Sequence, residues 1–407
     1  MTDEVDSDVQ VQMILLAAAH HNLEDLRALL RRGSASAQDP ETRYTPLHAA
    51  IAACAPEDEH QDGRLEEEQT TSEDLEAAVK TVKLLLQNGA IWNDLDNNNE
   101  TPGCLAYRLG LKELYELMVD AGVRAELLLT HLDEYQRLEQ SAEEDGDDDD
   151  DDDDDKGMTG TKEPDAPGAD LGATEPTNAE VNSEDYLRSE LTFRGDRLLD
   201  ADANGVMMAW EADIMKRTAD LLLPGPGLRV LNIGFGLGVI DACFQSHSPR
   251  SHHIVEAHPA VLARLRQDGW CEKPGVVVHE GRWQDVLPKL LQENLMFDAI
   301  YFDTFAEDYR SLKEFFGEYA IGLLDPQGGE DGRGGRWGFF NGLGADRRIC
   351  YDVYIKVVEL DLFEAGFDTE WEEVTVPDLV RSGEWEGVRR KYWVLDKYKL
   401  PICRFMD

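Results

Sequence analysis

The chain has few cysteines and few basic residues for its size. Its 407 residues include six scattered cysteines with no C-x-x-C pair, namely Cys54, Cys104, Cys243, Cys271, Cys350 and Cys403. We therefore expect no disulfide framework, no metal site and a reducing compartment. Acidic residues outnumber basic ones by 84 to 39, which gives a net charge of −45. Such a surface repels phosphate groups, so we do not expect direct binding of nucleic acid.

Long hydrophobic runs are also missing. No apolar run approaches the roughly 18 residues that a membrane span needs, and the acidic start MTDEVDSDVQ lacks the features of a signal peptide. We expect a soluble monomer of the cytoplasm and nucleus that does not contact membranes. Hydrophobic residues still make up 42% of the chain, enough for ordinary cores, and its length predicts two or three domains.

Much of the negative charge lies in two segments. Residues 139–190 contain 21 acidic and 3 basic residues, with nine consecutive aspartates at 147–155, and residues 57–76 contain 10 acidic and 1 basic. Such segments bury too little apolar surface to offset the entropy of ordering. We predict an acidic insert near 55–76 and a disordered acidic linker at 133–182. The linker is either a solvated spacer or a docking arm for a basic protein.

Sequence repeats precede the linker. LRALLRRG, VKLLLQNG and LYELMVDAG end at Gly33, Gly89 and Gly122, and the last two glycines are 33 residues apart. That spacing is the ankyrin period, and TPLHAA at 45–50 fits the ankyrin signature. TPGCLA, which begins at Thr101, is a weaker copy. We predict an all-α ankyrin-repeat domain at 1–132, in which His48 is a structural hydrogen-bonding residue.

Strand-like and helix-like segments alternate after the linker. Five apolar, β-rich runs, at 228–234, 252–257, 275–281, 297–303 and 336–341, are separated by helical segments. This order predicts a parallel sheet with right-handed crossovers. Two final runs, at 369–376 and 391–398, lack a helix between them and predict an antiparallel pair at one edge. The pattern describes an α/β domain at 183–407 with a Rossmann-like, class I methyltransferase-like sheet of seven strands.

A glycine loop follows the first of these strands. Residues 230–238 read VLNIGFGLG, in which the glycines let the backbone approach a ligand. The dinucleotide pattern needs a glycine where Val239 stands, which weakens a nicotinamide interpretation without excluding it. Glu256 follows Gly234 by 22 residues and suits the ribose hydroxyls of a nucleoside cofactor, or is an exposed carboxylate at a strand end.

Residues at the ends of two further strands point to the same crevice. Asp303 closes the fourth strand, where carboxylates of open α/β sheets face the ligand. Arg282 and Trp283 follow the third strand, where an adenine base lies in such sheets. Alternatively, Trp283 only caps the core.

Six ordered segments carry a family resemblance: GVMMAWEADIM (205–215), NIGFGLGVID (232–241), IVEAH (254–258), GRWQDV (281–286), AIYFDTF (299–305) and FFNGLG (339–344). Together they resemble guanidinoacetate N-methyltransferase. They are more similar still to the fungal arginine N-methyltransferase 2 family, a type IV family that modifies the delta nitrogen and joins ankyrin-like repeats to this domain. The resemblance covers 183–407 densely and 10–130 through architecture.

The resemblance implies an S-adenosylmethionine-dependent protein arginine N-methyltransferase. Glu211 and Asp303 match the carboxylates that hold the guanidino group, although Glu211 could instead be a carboxylate on a helix surface. The implied cofactor-binding residues are Tyr186, Met207, Met215, Phe235, Gly236, Leu237, Gly238, Val239, Ile240, Glu256, Ala257, His258, Arg282, Trp283, Gln284 and Asp303. One departure is Asn232, which replaces an acidic residue often seen two positions before the first glycine.

The implied reaction is methylation of an arginine, at its internal delta nitrogen, in a basic substrate of the ribosomal-protein class. Three alternatives remain open at this point. The chain could be an ankyrin interaction module with a non-catalytic sheet, a methyltransferase for a small guanidino compound, or a nicotinamide enzyme.

Overall fold

The computed structural model describes residues 2–55, 72–144, 182–329, 332 and 334–406. These residues belong to two compact units, Met1–Thr174 and Glu175–Asp407. Most of the predicted acidic insert and residues 145–181 of the predicted linker lie outside the described ranges. Among the helices of these ranges, none has both the length and the apolar composition needed to span a bilayer.

The described part of the first unit is helical, which confirms the predicted all-α class. Its helices are α1 (Thr2–Ala19), α2 (Leu23–Leu29), α3 (Pro46–Ala52), α4 (Ser72–Gln87), α5 (Pro102–Arg108) and α6 (Lys112–Glu144). Helix α6 continues past 133, where the sequence placed the start of the linker, because its last turns are rich in Glu, Leu, Gln and Ala, which favour helix.

Helices α3 and α5 begin in the same way. Thr45 and Thr101 are the N-caps, each followed by proline, and their side chains accept hydrogen bonds from the backbone N–H groups of His48 and Cys104. The His48 ring accepts from the Thr45 N–H at Nδ1 (3.2 Å) and donates from Nε2 to the Glu100 carbonyl (3.0 Å). The structural role predicted for His48 is confirmed.

The second unit begins with elements that the sequence analysis missed. Helix α7 (Ser183–Arg188) precedes a small antiparallel sheet of β1 (Thr192–Arg194), β2 (Arg197–Leu199) and β3 (Gly205–Met207). Strands of three residues are too short to show an alternating pattern. A short 3-10 turn (Ala209–Glu211) then leads into α8 (Ala212–Leu222).

A seven-stranded sheet forms the centre of this unit. Its strands are β4 (Arg229–Ile233), β5 (Ser251–Glu256), β6 (Val276–Glu280), β7 (Ala299–Phe302), β8 (Arg336–Phe339), β9 (Phe367–Thr375) and β10 (Lys397–Phe405). They lie in the order β6-β5-β4-β7-β8-β10-β9, and β10 is the one strand of this sheet that runs opposite to the others. The predicted Rossmann-like sheet with an antiparallel edge pair is confirmed.

Helices cover both faces of this sheet. They are α9 (Val239–Ser246), α10 (Pro259–Gln267), α11 (Trp283–Gln292), α12 (Tyr309–Glu314), α13 (Ile321–Leu323) and α14 (Arg348–Glu364), with a π-helical turn between α12 and α13. The sequence analysis did not predict α14.

The predicted position of the last strand was wrong. Residues 391–398 were expected to form it, but β10 begins only at Lys397. The aromatic residues of that segment pack against Trp210 instead, and the rings of Trp210 and Trp393 are 5.2 Å apart. Burial of large rings outweighed the strand propensity of Tyr, Trp and Val.

Two strand ends approach each other closely beside the glycine loop. Gly234 has φ +96°, and an added Cβ would lie 1.9 Å from the carbonyl oxygen of Asp303. The Asp303 N–H donates to the Ile233 carbonyl at 2.9 Å, which fixes this approach. Only glycine fits here without moving the backbone that carries Asp303.

We predict that Gly234→Ala strongly destabilises the second unit. Gly366 is the matched control, since its φ is +89° but its Cβ would meet no atom within 4 Å. Gly366→Ala should cost only the backbone strain, about 1–2 kcal/mol. Thermal or denaturant unfolding of the two variants measures the difference. Equal losses of stability would contradict the close approach.

Candidate active site at the carboxyl ends of the central strands

One cavity of about 530 Å³ opens where the carboxyl ends of β4, β5 and β7 meet. Its size is that of an ordinary small-molecule site. Strand β4 lies between β5 and β7, so the chain leaves it on one side for β5 and crosses to β7 on the other. Open α/β sheets bind ligands at this kind of reversal.

Most of the residues implied by the resemblance line this cavity. They come from α7, β3, the glycine loop and the ends of β5, β6 and β7, and they are Tyr186, Met207, Glu211, Phe235, Gly236, Ile240, Glu256, Ala257, Arg282, Trp283, Gln284 and Asp303. Six separate stretches of sequence are thus brought to one wall.

Three implied cofactor residues lie behind the wall. The Met215 side chain is fully buried in the core on α8. Gly238, with φ +70°, is the N-cap of α9, and Val239 is the first residue of that helix. A motif that begins in a ligand loop therefore continues into residues that pack the core.

Leu237 and His258 are also outside the lining but support residues within it. The Leu237 N–H lies 3.3 Å from the sulfur of Met207. The His258 ring donates from Nε2 to the Tyr186 carbonyl (3.1 Å) and contacts the Tyr186 ring at a tilt, with the ring centres 4.9 Å apart. His258 therefore holds the helix that carries Tyr186.

The Glu256 side chain organises the glycine loop. Its carboxylate accepts the backbone N–H groups of Phe235 (2.9 Å), Ala257 (2.8 Å) and His258 (2.7 Å). Burial raises the pKa of Glu256, and these hydrogen bonds act in the opposite direction. Glu256 is buried and lines the cavity, so it is not the exposed carboxylate of the alternative interpretation.

The structure explains the unusual Asn232. It is fully buried, and its amide donates to both carboxylate oxygens of Asp241 at 2.9 and 3.0 Å. An acidic residue at 232 would place two carboxylates against each other in the core. The nitrogen of the His252 ring lies 3.0 Å from the same Asp241. Asn232 therefore holds the start of the glycine loop through hydrogen bonds to the Gly234 carbonyl and to Asp241, and it does not line the cavity.

A cluster around Glu307 shapes the wall where an adenine was expected. The Glu307 carboxylate accepts from Trp283 Nε1 (3.0 Å), Gln284 Nε2 (3.2 Å) and Thr304 Oγ1 (2.5 Å). Because a carboxylate only accepts, it fixes the Gln284 amide with its nitrogen toward Glu307. Among the residues that the structure describes, none donates a hydrogen bond to the buried Gln284 Oε1.

Trp283 both lines the cavity and packs the core. Its ring meets Phe302 edge to face at 5.5 Å and Tyr319 at 5.7 Å. The two alternatives considered for this residue are therefore not exclusive.

Glu211 and Asp303 face the same cavity. Burial raises the pKa of Glu211 well above its ordinary value, and the negative charge of Asp303 raises it further. Burial also raises the pKa of Asp303 to about 7, with Asp241 as the next cause. Glu211 is 4% exposed, so it is not a helix-surface carboxylate. Two acidic groups in a poorly solvated wall favour a cationic ligand.

Sequence reasoning missed several lining residues, of which Tyr392 and Glu307 make the most informative contacts. Tyr392 donates a hydrogen bond to Glu211 Oε1, although 181 positions separate them. No local pattern reveals a pair so far apart. Glu307, by contrast, follows the end of β7 by five residues, and its position near a strand end was a usable signal.

Solved methyltransferase structures resemble the sheet only weakly. N-methyltransferase NodS from Bradyrhizobium japonicum, in complex with S-adenosylhomocysteine, is 15% identical, covers 49% of this chain and 88% of its own, and has a TM-score of 0.34. M. jannaschii TYW2, in complex with AdoMet, is 12% identical, covers 53% and 84%, and has a TM-score of 0.30. The fold assignment depends on the strand order and not on these scores.

Sequence comparisons are more specific. The family model for guanidinoacetate N-methyltransferase matches residues 186–331, which include Glu211 and Asp303. Protein arginine N-methyltransferase 2 of Emericella nidulans is 56% identical and covers 99% of both chains. The Aspergillus oryzae protein of that name is 54% identical over 100% of this chain and 99% of its own, and the Eremothecium gossypii protein is 38% identical over 97% and 94%. The chain therefore belongs to the protein arginine N-methyltransferase 2 family.

Proposed function

We propose that this methyltransferase modifies the internal delta nitrogen of an arginine in a basic protein substrate. The enzyme class follows from the family: the chain is an S-adenosylmethionine-dependent protein arginine N-methyltransferase. The finer proposal is carried by one observation, the pair of carboxyl groups of Glu211 and Asp303 in a cavity bounded by a glycine loop.

The residues of the cavity fit the methyl donor. S-adenosylmethionine supplies an activated methyl group on its sulfonium. At Gly236 φ is +55° and an added Cβ would lie 3.2 Å from the Met207 sulfur, so a side chain here would strain the loop and crowd a residue that lines the cavity. The unpartnered Gln284 Oε1 accepts a hydrogen bond, and the adenine amino group is a donor. Glu256 lies at the end of β5, where ribose hydroxyls bind in such sheets.

The two carboxylates suit a guanidinium group. Arginine stays protonated at neutral pH and presents a planar fork of N–H donors. Its positive charge stabilises the ionised forms of Glu211 and Asp303, whose pKa values burial has raised. When the methyl group is transferred to nitrogen, the guanidinium loses one proton, and either carboxylate can accept it.

The same geometry supports the choice of nitrogen. If Glu211 and Asp303 hold the terminal N–H groups of the fork, the internal nitrogen is left free of both carboxylates. It then carries more of the lone-pair density, since the carboxylates draw positive charge toward the terminal nitrogens. Methylation at the internal position follows from this orientation.

Charge supports a basic protein as substrate, and the ribosomal-protein class is one source of such proteins. The chain carries a net charge of −45, which attracts basic partners at long range. The repeated Thr-Pro starts of α3 and α5 support an ankyrin-type arrangement of the first unit. We propose that this unit docks the substrate, because stacked repeats bind proteins.

The two carboxylates give the first prediction from this proposal. Glu211→Gln and Asp303→Asn should each lower kcat/KM for a basic protein substrate by about 100-fold or more, because each removes an anion that holds the guanidinium. The control is Glu318→Gln, at an exposed position on the turn after α12, which should not change kcat/KM. Full activity of Glu211→Gln would place the guanidinium elsewhere.

Both variants should gain stability at pH 8 without ligand. The folded pKa of Asp303, about 7, lies above its unfolded value of about 4, so the ionised carboxyl destabilises the fold as pH rises through this interval. Asp303→Asn removes that pH dependence, and its melting temperature should exceed that of the wild type at pH 8 but not at pH 4. In the wild type, kcat/KM should rise with pH as both carboxyl groups ionise, Asp303 with its pKa of about 7 and Glu211 with a pKa raised well above its ordinary value.

The second prediction concerns the adenine. S-inosylhomocysteine carries a keto oxygen in place of the amino group of S-adenosylhomocysteine, and that oxygen would face Gln284 Oε1. The wild type should bind it at least about tenfold more weakly in calorimetry. Gln284→Leu should lose most of this preference, whereas Gln292→Leu, at the exposed end of the same helix, should keep it. If the wild type bound S-inosylhomocysteine and S-adenosylhomocysteine equally well, the adenine amino group would not contact Gln284.

The third prediction concerns the two units. A fragment of residues 182–407 contains every residue that lines the cavity and should bind S-adenosylhomocysteine as the full chain does. At low salt it should methylate a basic protein about tenfold less efficiently, and the difference should shrink as salt rises. Equal efficiency at every salt concentration would assign the first unit to another partner.

A further inference from the structure

A directed chain of hydrogen bonds ends on Glu211. The indole Nε1 of Trp210 donates to the Tyr392 hydroxyl at 3.1 Å, and that hydroxyl donates to Glu211 Oε1. An indole N–H only donates, so the Tyr392 oxygen accepts from Trp210 and the Tyr392 hydroxyl proton is left to donate to Glu211. The single Tyr392 proton therefore lies between the phenol oxygen and Glu211.

Aromatic packing holds this chain in place. The Tyr392 ring meets Trp385 edge to face at 5.0 Å, and the Trp210 ring lies 5.2 Å from Trp393 and 6.4 Å from Phe340. Tyr392, Trp385 and Trp393 all belong to the connection between β9 and β10. The connection between β9 and β10 therefore contributes Tyr392 to the site, and the Tyr392 hydroxyl binds one carboxylate oxygen of Glu211.

We propose that Tyr392 is a positioning residue, which binds Glu211 Oε1 so that Oε2 is presented to the guanidinium of the substrate. This inference rests on the proposed role of Glu211 and extends it. Tyr392 itself need not touch substrate or cofactor. Without its hydroxyl, the carboxylate could rotate and would lose a donor that favours its ionised form.

Few groups near Glu211 favour its ionised form. Asp303 and Glu384 bring negative charge toward Glu211, and the phenol groups of Tyr301 and Tyr398 are neutral. Burial and Asp303 raise the pKa of Glu211, while the Tyr392 hydroxyl and the Met208 backbone lower it.

Tyr392 acts as a donor and not as a base. Burial, followed by the charge of Glu211, raises the pKa of Tyr392 well above its ordinary value, so the phenol remains protonated at working pH. A proton released by the substrate therefore passes to a carboxylate and not to Tyr392.

The test is Tyr392→Phe in the full chain, with kcat/KM for a basic protein substrate measured across pH. We expect the acidic limb of the profile to move upward by about one pH unit, because the variant loses the hydroxyl donor that lowers the pKa of Glu211. At pH 7 the variant should lose about tenfold in kcat/KM, and its affinity for S-adenosylhomocysteine should stay within about twofold of the wild type.

The matched control is Tyr309→Phe. Tyr309 is a buried tyrosine in the same unit that donates to a buried carboxylate, Asp361, at 2.5 Å, but neither residue lines the cavity. It loses the same kind of hydrogen bond and should leave the acidic limb unmoved. If both variants shift the limb equally, the effect is general destabilisation and the proposal fails.

A double-mutant cycle separates this inference from the proposed function. If Glu211→Gln abolishes most activity and Tyr392→Phe adds nothing in that background, Tyr392 acts through Glu211. If Glu211→Gln is fully active, the proposed function itself fails. If Glu211→Gln is impaired but Tyr392→Phe leaves the pH profile unchanged, only the role of Tyr392 is overturned. Should Tyr392→Phe fold poorly, Trp210→Phe, which removes the donor to Tyr392, should produce a smaller shift of the same sign.

Discussion

Two carboxyl groups that share one poorly solvated wall are the constraint on which this site depends. Glu211 is buried, and Asp303 faces the same cavity, where burial raises its pKa to about 7. Neither group gains from being charged until a cation arrives. A guanidinium supplies that cation together with the N–H donors that carboxylates accept. The fold therefore keeps a destabilising arrangement, which binding of the substrate guanidinium relieves under the proposed function.

The rest of the second unit fixes the positions of these two groups despite their mutual repulsion. Asp303 is fixed at the end of β7 by backbone contact with β4, and glycine at 234 is what permits that contact. Glu211 is fixed from the other side by Tyr392 and the aromatic residues of the β9–β10 connection. Two acidic groups stay close together in a buried wall only where the surrounding packing determines the position of each group.

Sequence reasoning predicted what depends on local pattern. The five parallel strands, the glycine loop and the carboxylates at strand ends could be predicted because periodicity and turn residues report on them directly. The sheet of three-residue strands β1 to β3 was too short to detect. Met215 was implied as a cofactor residue only by the family resemblance, and helix α8 carries its side chain into the core.

Contacts between distant segments could not be predicted. The segment at 391–398 was expected to form a strand because of its Tyr, Trp and Val residues, and only the tertiary fold shows that Tyr392 meets Glu211. The orientation of Gln284 likewise depends on Glu307, which belongs to a different strand end. Such pairs depend on the topology of the sheet, which a single sequence does not specify residue by residue.

The chemical identity of the reaction product tests the central claim most directly. The full chain should be incubated with S-adenosylmethionine and a basic protein, and the protein should then be hydrolysed to amino acids and compared with authentic methylarginines. We expect arginine methylated at the internal nitrogen, formed by the wild type and not by Glu211→Gln. Arginine methylated at a terminal nitrogen, or methylation of guanidinoacetate but of no protein, would contradict it.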